Sequence, residues 1–532
     1  MPEQAAQRYM QANLIPPDPR EVDWKAAPPL CKLYRNCEQI PCAGTELAPV
    51  RSDKDTRSSG GSIPGLGLGQ IGQMLADIYG FTRQCYQPSI LAFLNIHEEY
   101  IYSLYPSLLL RSVPSGGALF PCEVYLLVGS ESEDIPAGIY HYDAAHQALD
   151  ILRRGDYSTL LQSALAHPQE PPPVITLLLS CVFWKDGFKY GAFSYRLQGL
   201  DIGTVISQTE IVARHAGFSA TLHYQFLDHI LNNLLGLDPL QESVYAVLTW
   251  GQALHLASQE VRDKAKPLLI TPDLAKPVPE AMPLASIAHW PLVEAVHRAS
   301  LLDTREAFRA LHRLAPIQPP AEEEYETTAL WTPDPPLDLW QARHSRHSAN
   351  GFFLPQPLVA KQLGALLHLC MRGTTNDLDD YCEVLQHTLL YCVVCRVQDI
   401  PSGIYRYEPQ RHALSLVRAG EMTSQLQGVL RQADHMHFYT SISFFPIGNY
   451  QSGLEVYGDR WYRVQNMEAG IIIQRLYLAA AALKLHCRAS LDFNVPQTDA
   501  FLGLGATSTS LVQIMIAPEC LIYQQYEQSL RI

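Results

Sequence analysis

The sequence predicts an α+β protein: two tandem copies of one domain, each an antiparallel-rich sheet flanked by long helices, joined as a pseudo-dimer within one chain. Three observations predict it. PAGIYHY at 136–142 recurs as PSGIYRY at 401–407, and HQALDILRRGD (146–156) recurs as RHALSLVRAGE (411–421), both at an offset of 265 residues. YGAFSYR (190–196) answers YGDRWYR (457–463), and Gly203 answers Gly470, at an offset of 267. Self-similarity of this length marks a duplicated unit, and 532 residues are too many for one core but suit two.

Each copy shows the same order of elements. A helix with 3.6-residue periodicity (Leu68, Ile71, Leu75, Ile78; then Leu363, Leu366, Leu367, Cys370) precedes a buried strand, CEVYLLVG or LLYCVVCRV. A hairpin follows, GIYHYD turning into ALDILRR in the first copy, and then a further helix and an apolar strand, VITLLLSCVF or HFYTSISFF. Long helices beginning near Tyr195 and Tyr462 come next; the second, with IIIQRLYLAAAALKL, is the stronger helix former. The last strands are SVYAVLTWG and LVQIMIAP. These elements divide the chain into an extended N-terminal arm (1–50), a first domain (51–261), a Pro-rich linker with a helical segment (262–335) and a second domain (336–532).

Composition excludes several classes. A net charge of −14 argues against a nucleic-acid groove, while leaving room for a local basic pocket that holds one phosphate. The N-terminus lacks a basic segment followed by an apolar run, and no apolar stretch reaches the roughly 20 residues that span a bilayer. The twelve cysteines are scattered and lie mostly in apolar runs, as expected of reduced thiols in a cytoplasmic protein. Cys392 and Cys395 have metal-like or redox-like spacing, but they sit in a β-branched run whose geometry points them to opposite faces, so core packing is expected.

RSVPSGGALFPCEVYLLV (111–128), followed by GIYHYD and KDGFKYGAFSYRLQGLDIGTVISQ, closely resembles the SagB/ThcOx/McbC group of flavin dehydrogenases in the nitroreductase superfamily. The resemblance extends over nearly the whole chain, including DWKAAPPLCKLY in the arm. It implies tandem nitroreductase-like domains, FMN buried where two halves meet, and oxidation of a thiazoline or oxazoline in a peptide natural product by hydride transfer to flavin N5. It also assigns residues. Arg111, Ser115, Gly116 and Gly117 fall in the flavin-binding motif, where glycine lets backbone approach the cofactor. Arg57 and Ser59 stand where such domains grip the phosphate, and Arg343 and Ser345 in ARHSRHS share their spacing. His223 and Tyr224, after the first long helix, are candidates to line the ring. Lys189 and Tyr190 match the catalytic Lys-Tyr pair: a base must take a proton as the hydride leaves, and Tyr190 can relay or orient it. Arg196 and Arg463, present in both copies, suggest a structural role at a helix start or an interface.

The second copy has lost much of this chemistry. Val456 replaces the lysine, although Tyr457 persists, and Ser115 with its neighbours falls in the run DDY, whose carboxylates would repel a phosphate. One competent flavin site per chain is therefore expected, with a degenerate second domain completing the pseudo-dimer. Two other functions fit the pattern: an NAD(P)H-dependent nitro or quinone reductase, and a non-catalytic recognition component of a biosynthetic complex. The expected partners are a small-molecule or peptide substrate and other biosynthetic enzymes, with a homodimer of the two-domain chain also compatible; no metal site is expected.

Overall fold

The computed structural model describes residues 4–18, 22–23, 27–42, 67–86, 108–129, 135–169, 171–173, 175–251, 285, 287–309, 314, 326–349, 352–430, 439–518, 520–521 and 526–529. Two large sheets carry the duplicated pattern. The central strands of the first, Cys122–Val128 and Ile175–Val182, are buried along their whole length, as their unbroken apolar runs require. Gly138–Asp143 and Ala148–Arg154 continue this sheet on one side, and Glu242–Gly251 and Ser219–His223 on the other. The second sheet repeats the order with Ala413–Ala419, Gly403–Glu408, Leu389–Val394, Ile442–Gly448, Gln513–Ala517 and His486–Ser490.

The repeat extends to irregular detail. The two hairpins carry a bulge at the same place, Ile139/Tyr140 and Ile404/Tyr405. Gln147 and His412, at equivalent turn positions, both have positive φ. Tyr140 and Tyr405 each donate their hydroxyl to the carbonyl of the proline four residues earlier. A tight turn with one set of demands has been met twice by the same residue types.

The long helices, Ser194–His215 and Arg460–Ala482, hold the halves together. They cross at Gly203 and Gly470, backbone against backbone: a Cβ on Gly203 would lie 2.1 Å from the Met467 carbonyl oxygen, and one on Gly470 2.1 Å from that of Leu200. Both helices are covered on nearly all sides, so neither shows a strong amphipathic face. Tyr195 and Tyr462, equivalent by the repeat, stack at 6.1 Å and 7°. Tyr9, from a short helix at Ala5–Ala12, packs edge-on against both. Arg196 reaches the carbonyls of Ser510 and Leu511, and Arg463 reaches that of Val244. Each arginine thus bonds backbone of the other half, in or just before the strand Glu242–Gly251 or Gln513–Ala517, and the interface role expected of them takes the form of crossed hydrogen bonds.

The halves also exchange strands. Thr375–Asn376 from the second half runs parallel to Ser219–His223 of the first, and Tyr526–Ser529 pairs with Phe81–Tyr86. The N-terminal arm is partly helical rather than wholly extended. Farther along, Gln39–Pro41 pairs with the sheet edge at Ala148–Asp150, and a buried ion pair of 2.6 Å joins Lys32 to Glu242. In the connecting segment the helix is Pro291–Ser300; it stops where Leu301 turns extended and the Leu302 amide bonds Asp228. Cys392 is in the core and Cys395 lies just beyond its strand, half-buried; both are free thiols. No helix among the described residues is long and apolar enough to cross a membrane.

Candidate functional site

A cavity of about 340 Å³ opens where the halves meet. Its first-half wall is the turn 113–118 together with Leu197, Leu200, Asp201 and Thr204 of the first long helix; Arg83 adds a charge. The facing wall comes from the second half: Arg346, His347 and Ser348, then Ile473 and Tyr477 on the second long helix, and Arg488–Leu491. Three arginines therefore line one cavity in an acidic chain, which suits an anionic group such as a phosphate.

The glycine turn is built for contact. Ser115 is extended, and Gly116–Ala118 form a 3-10 turn in which Gly117 takes φ +64°, the left-handed region. A Cβ on Gly117 would lie 2.6 Å from the Tyr190 hydroxyl and 2.8 Å from Lys189 Nζ. On Gly116 it would lie 2.7 Å from a Leu197 methyl. The missing side chains thus let the turn press on Lys189 and Tyr190, which end the helix Phe183–Tyr190. Ser115 donates its hydroxyl to Asp201 at 2.6 Å and accepts from the Phe120 amide; the Gly116 amide also donates to Asp201.

The electrostatics of this corner are unusual. Burial lowers the pKa of Lys189, opposed by Asp186 on the same helix. Burial pushes the Tyr190 hydroxyl well above its usual range, so it stays protonated. Asp201 is pushed up to about 7 by burial, against the pull of Ser115 and Gly116. Asp186 is driven up by burial and by Asp201. An amine whose neutral form burial favours, beside a protonated hydroxyl, can take and pass on a proton.

The other anticipated residues are placed as follows. Arg57 and Ser59 lie outside the described residues. The Arg111 side chain does not line the cavity; it is buried among the rings of Tyr79, Phe81 and Phe120 and bonds the Tyr79 carbonyl. Its own carbonyl accepts a bond from Arg346 at 2.9 Å. Arg343 is also elsewhere: it pairs with Asp77 at 2.9 Å and covers the Trp340 ring, while Ser345 caps its own turn. ARHSRHS contains Arg-His-Ser twice, and it is the second occurrence, Arg346–Ser348, that enters the cavity.

His223 and Tyr224 are fully buried at a second, pseudo-equivalent crevice. His223 contacts Thr249 at 3.2 Å. The Tyr224 and Gln225 amides each donate to the Asp377 carboxylate at 2.8 Å. The equivalents of His223 and Tyr224, 267 residues on, are Ser490 and Leu491, and both line the open cavity. The segment that follows a long helix does line the cavity, but there it is the second half's copy facing the first half's glycine turn. At the closed crevice, Asp377, the pair Asp379–His387 (2.6 Å) and Glu468 take up the space between the halves. Val456 stands for Lys189, and Gly453 stands for Asp186, its volume occupied by the Trp461 indole.

Residues 385–517 match the nitroreductase family model. The chain is 33% identical over 138 residues to the trifolitoxin-processing protein TfxB of Rhizobium leguminosarum bv. trifolii, covering 25% of this chain and 37% of that protein. It is 30% identical over 138 residues to the microcin B17-processing protein McbC of Escherichia coli, covering 25% of this chain and 51% of that one. The chain spans about half or less of the length of these curated relatives. A solved nitroreductase candidate from Anabaena variabilis superposes with a TM-score of 0.74 at 21% identity, over 97% of this chain and 99% of that one, and so shares the tandem fold.

Proposed function

We propose, for a chain that carries a nitroreductase-family domain and resembles the SagB/McbC-type processing proteins, that it is an FMN-dependent oxidoreductase dehydrogenating a thiazoline or oxazoline ring in a peptide natural product. The observation that carries this reading is the contact of Gly117, on the cavity wall, with Lys189 and Tyr190, opposite a far wall that supplies Arg346 and Arg488. The cavity fits FMN in chemistry. Its glycine turn seats closely on Leu197, Lys189 and Tyr190, and Arg83, Arg346, Arg488 and Ser348 form a donor set for a phosphate. When bound, FMN would supply the two-electron acceptor.

The chain's own residues then handle the proton. As the ring carbon of the substrate loses hydride, the adjacent position loses a proton, and Lys189 Nζ accepts it. Burial lowers the pKa of Lys189, which favours the neutral amine that this step needs. Tyr190, held protonated, orients or relays. The names of TfxB and McbC describe peptide-processing proteins, which favours a peptide substrate and partner biosynthetic enzymes. In this reading 51–261 and 336–532 are the two domains, tied by the arm and by 262–335. The ten cysteines whose side chains are described are free thiols, which agrees with a cytoplasmic setting.

Anaerobic mixing tests the proposal. An azoline-containing peptide should bleach the flavin, and NADPH should do so only slowly; rapid bleaching by NADPH alone would favour a nitro or quinone reductase. Lys189→Ala and Tyr190→Phe should keep the flavin and its reduction by dithionite, yet lower azoline turnover by about 10²–10⁴. Near-normal turnover in Lys189→Ala would remove the assigned base.

A further inference from the structure

The ammonium of Lys185, on the helix that ends in Lys189 and Tyr190, spends its three donors on three different elements. It pairs with Glu123 on a central strand at 2.6 Å, and it donates to the carbonyl of Phe120 at 3.2 Å and to that of Leu30 in the N-terminal arm at 3.0 Å. Both side chains of the pair are buried, so water does not compete for these bonds. Glu123 is itself fixed from behind. Its second oxygen meets His141 at 3.1 Å, His141 meets Asp150 at 2.8 Å, and Asp150 accepts from Gln39 of the arm at 2.7 Å. Phe120 closes the glycine turn: its amide donates to Ser115 at 2.9 Å. Phe120 and Ala118 hold φ of +51° and +56°, a conformation that L-residues keep only when their surroundings hold them in it. The helix therefore touches this turn at two places, through Lys185 at the Phe120 carbonyl and where Lys189 and Tyr190 crowd Gly117. One contact would leave a pivot, whereas two contacts a helical turn apart fix rotation as well as position.

We propose that Lys185, set by Glu123, is a positioning residue for the reaction: it locks the Lys-Tyr helix to the glycine turn and so fixes where Lys189 and Tyr190 stand against Gly117. This rests on the reading that Lys189 receives the substrate proton. Desolvation offsets most of the attraction within a buried ion pair, so stability alone does not account for this one. Its three bonds instead restrict the helix to one seating on a turn whose own backbone is strained. In the second half, strand pairing puts Leu389 at the position of Glu123, and the position of Lys185 is Ser452. The tie thus belongs to the half that carries the Lys-Tyr pair.

Two double variants of the full-length protein test this. Lys185→Met with Glu123→Gln removes the tie without stranding a buried charge. Lys32→Met with Glu242→Gln does the same to the other buried pair of 2.6 Å, whose further bonds go to Tyr125 and Ser180 rather than to the turn or the helix. The first variant should keep its flavin and its KM for an azoline peptide while kcat falls about a hundredfold, the scale of a misplacement of about an ångström; the second should keep its kcat. Hydrogen exchange read by mass spectrometry needs no turnover. Amides of 115–120 and 186–191 should exchange about tenfold faster in the first variant, the scale of one lost charge-assisted bond, and at the native rate in the second. Equal changes of kcat in the two variants, or native exchange in the first, would overturn the proposal. If the first variant does not fold, Glu123→Gln alone decides, since it keeps both volume and an acceptor. A kcat about tenfold lower at unchanged KM supports the tie, and native kcat refutes it. If the exchange pattern appears but the wild-type protein does not oxidise azolines, the proposed function fails and the seating of the helix stands. If the wild-type protein oxidises them and the two double variants behave alike, the positioning role fails alone.

Discussion

Substituting Gly117 by alanine separates backbone strain from loss of the site's geometry. An L-residue at φ +64° costs about 1–2 kcal/mol. The added Cβ would also lie 2.6 Å from the Tyr190 hydroxyl and 2.8 Å from Lys189 Nζ, well inside contact distance. Both are ends of side chains, so they give way rather than the backbone, and each must move by most of an ångström to reach ordinary contact. Displacement on that scale is worth about a hundredfold in rate. Gly458 is the internal control: it has nearly the same φ, +65°, with nothing within 4 Å of its Cβ position. Gly458→Ala should therefore lose similar thermal stability and no turnover, while Gly117→Ala should lose turnover about a hundredfold. Thermal melts, flavin content and azoline turnover, measured in parallel, make the comparison. Equal turnover in the two variants would show that the contacts of Gly117 with Lys189 and Tyr190 have no part in the chemistry.

The remaining predictions concern the cofactor and acid stability. Arg346→Ala should weaken FMN binding by about 1.5–3 kcal/mol, roughly 10–150-fold by flavin titration. Arg343→Ala should leave affinity alone and cost about 3–5 kcal/mol of stability in a denaturant melt, because it strands Asp77. Acid-released FMN should approach one per chain, since Asp377 already accepts the Tyr224 and Gln225 amides at the second crevice; two per chain would mean that the crevice opens. Burial, with His167 nearby, lowers the pKa of His223 from 6.5 to about 3. Below 6.5 the unfolded chain binds a proton that the folded chain refuses, so stability should decline between about 6.5 and 3, by up to about 1.4 kcal/mol per pH unit for this group. His223→Gln should flatten that decline in chemical melts, and an unaltered slope would place the acid sensitivity elsewhere.

Much of the architecture was legible in the sequence. A repeat written in hairpins, helix starts and paired glycines predicts two copies of one fold, because burial periodicity and turn chemistry are local demands. The pair Gly203 and Gly470 was visible as a match, and the structure gives it a cause: two helices whose backbones touch tolerate no side chain there. The glycine turn and the Lys-Tyr pair were likewise readable as motifs.

The sequence could not say which copies face one another. Reading along the chain assigns Arg343 and His223 to their own neighbourhoods, whereas a pseudo-twofold places the glycine turn of one half against the Arg-His-Ser and post-helix segments of the other. The choice between two consecutive Arg-His-Ser runs depends on packing, since Asp77 and Trp340 capture the first and leave the second to the cavity. Sequence by itself determined the elements, the duplication and the residue types available for chemistry, because these follow from local periodicity and side-chain character. Tertiary structure decided which of those residues share a site, because desolvation and like-charge proximity exist only once the two halves have closed on each other.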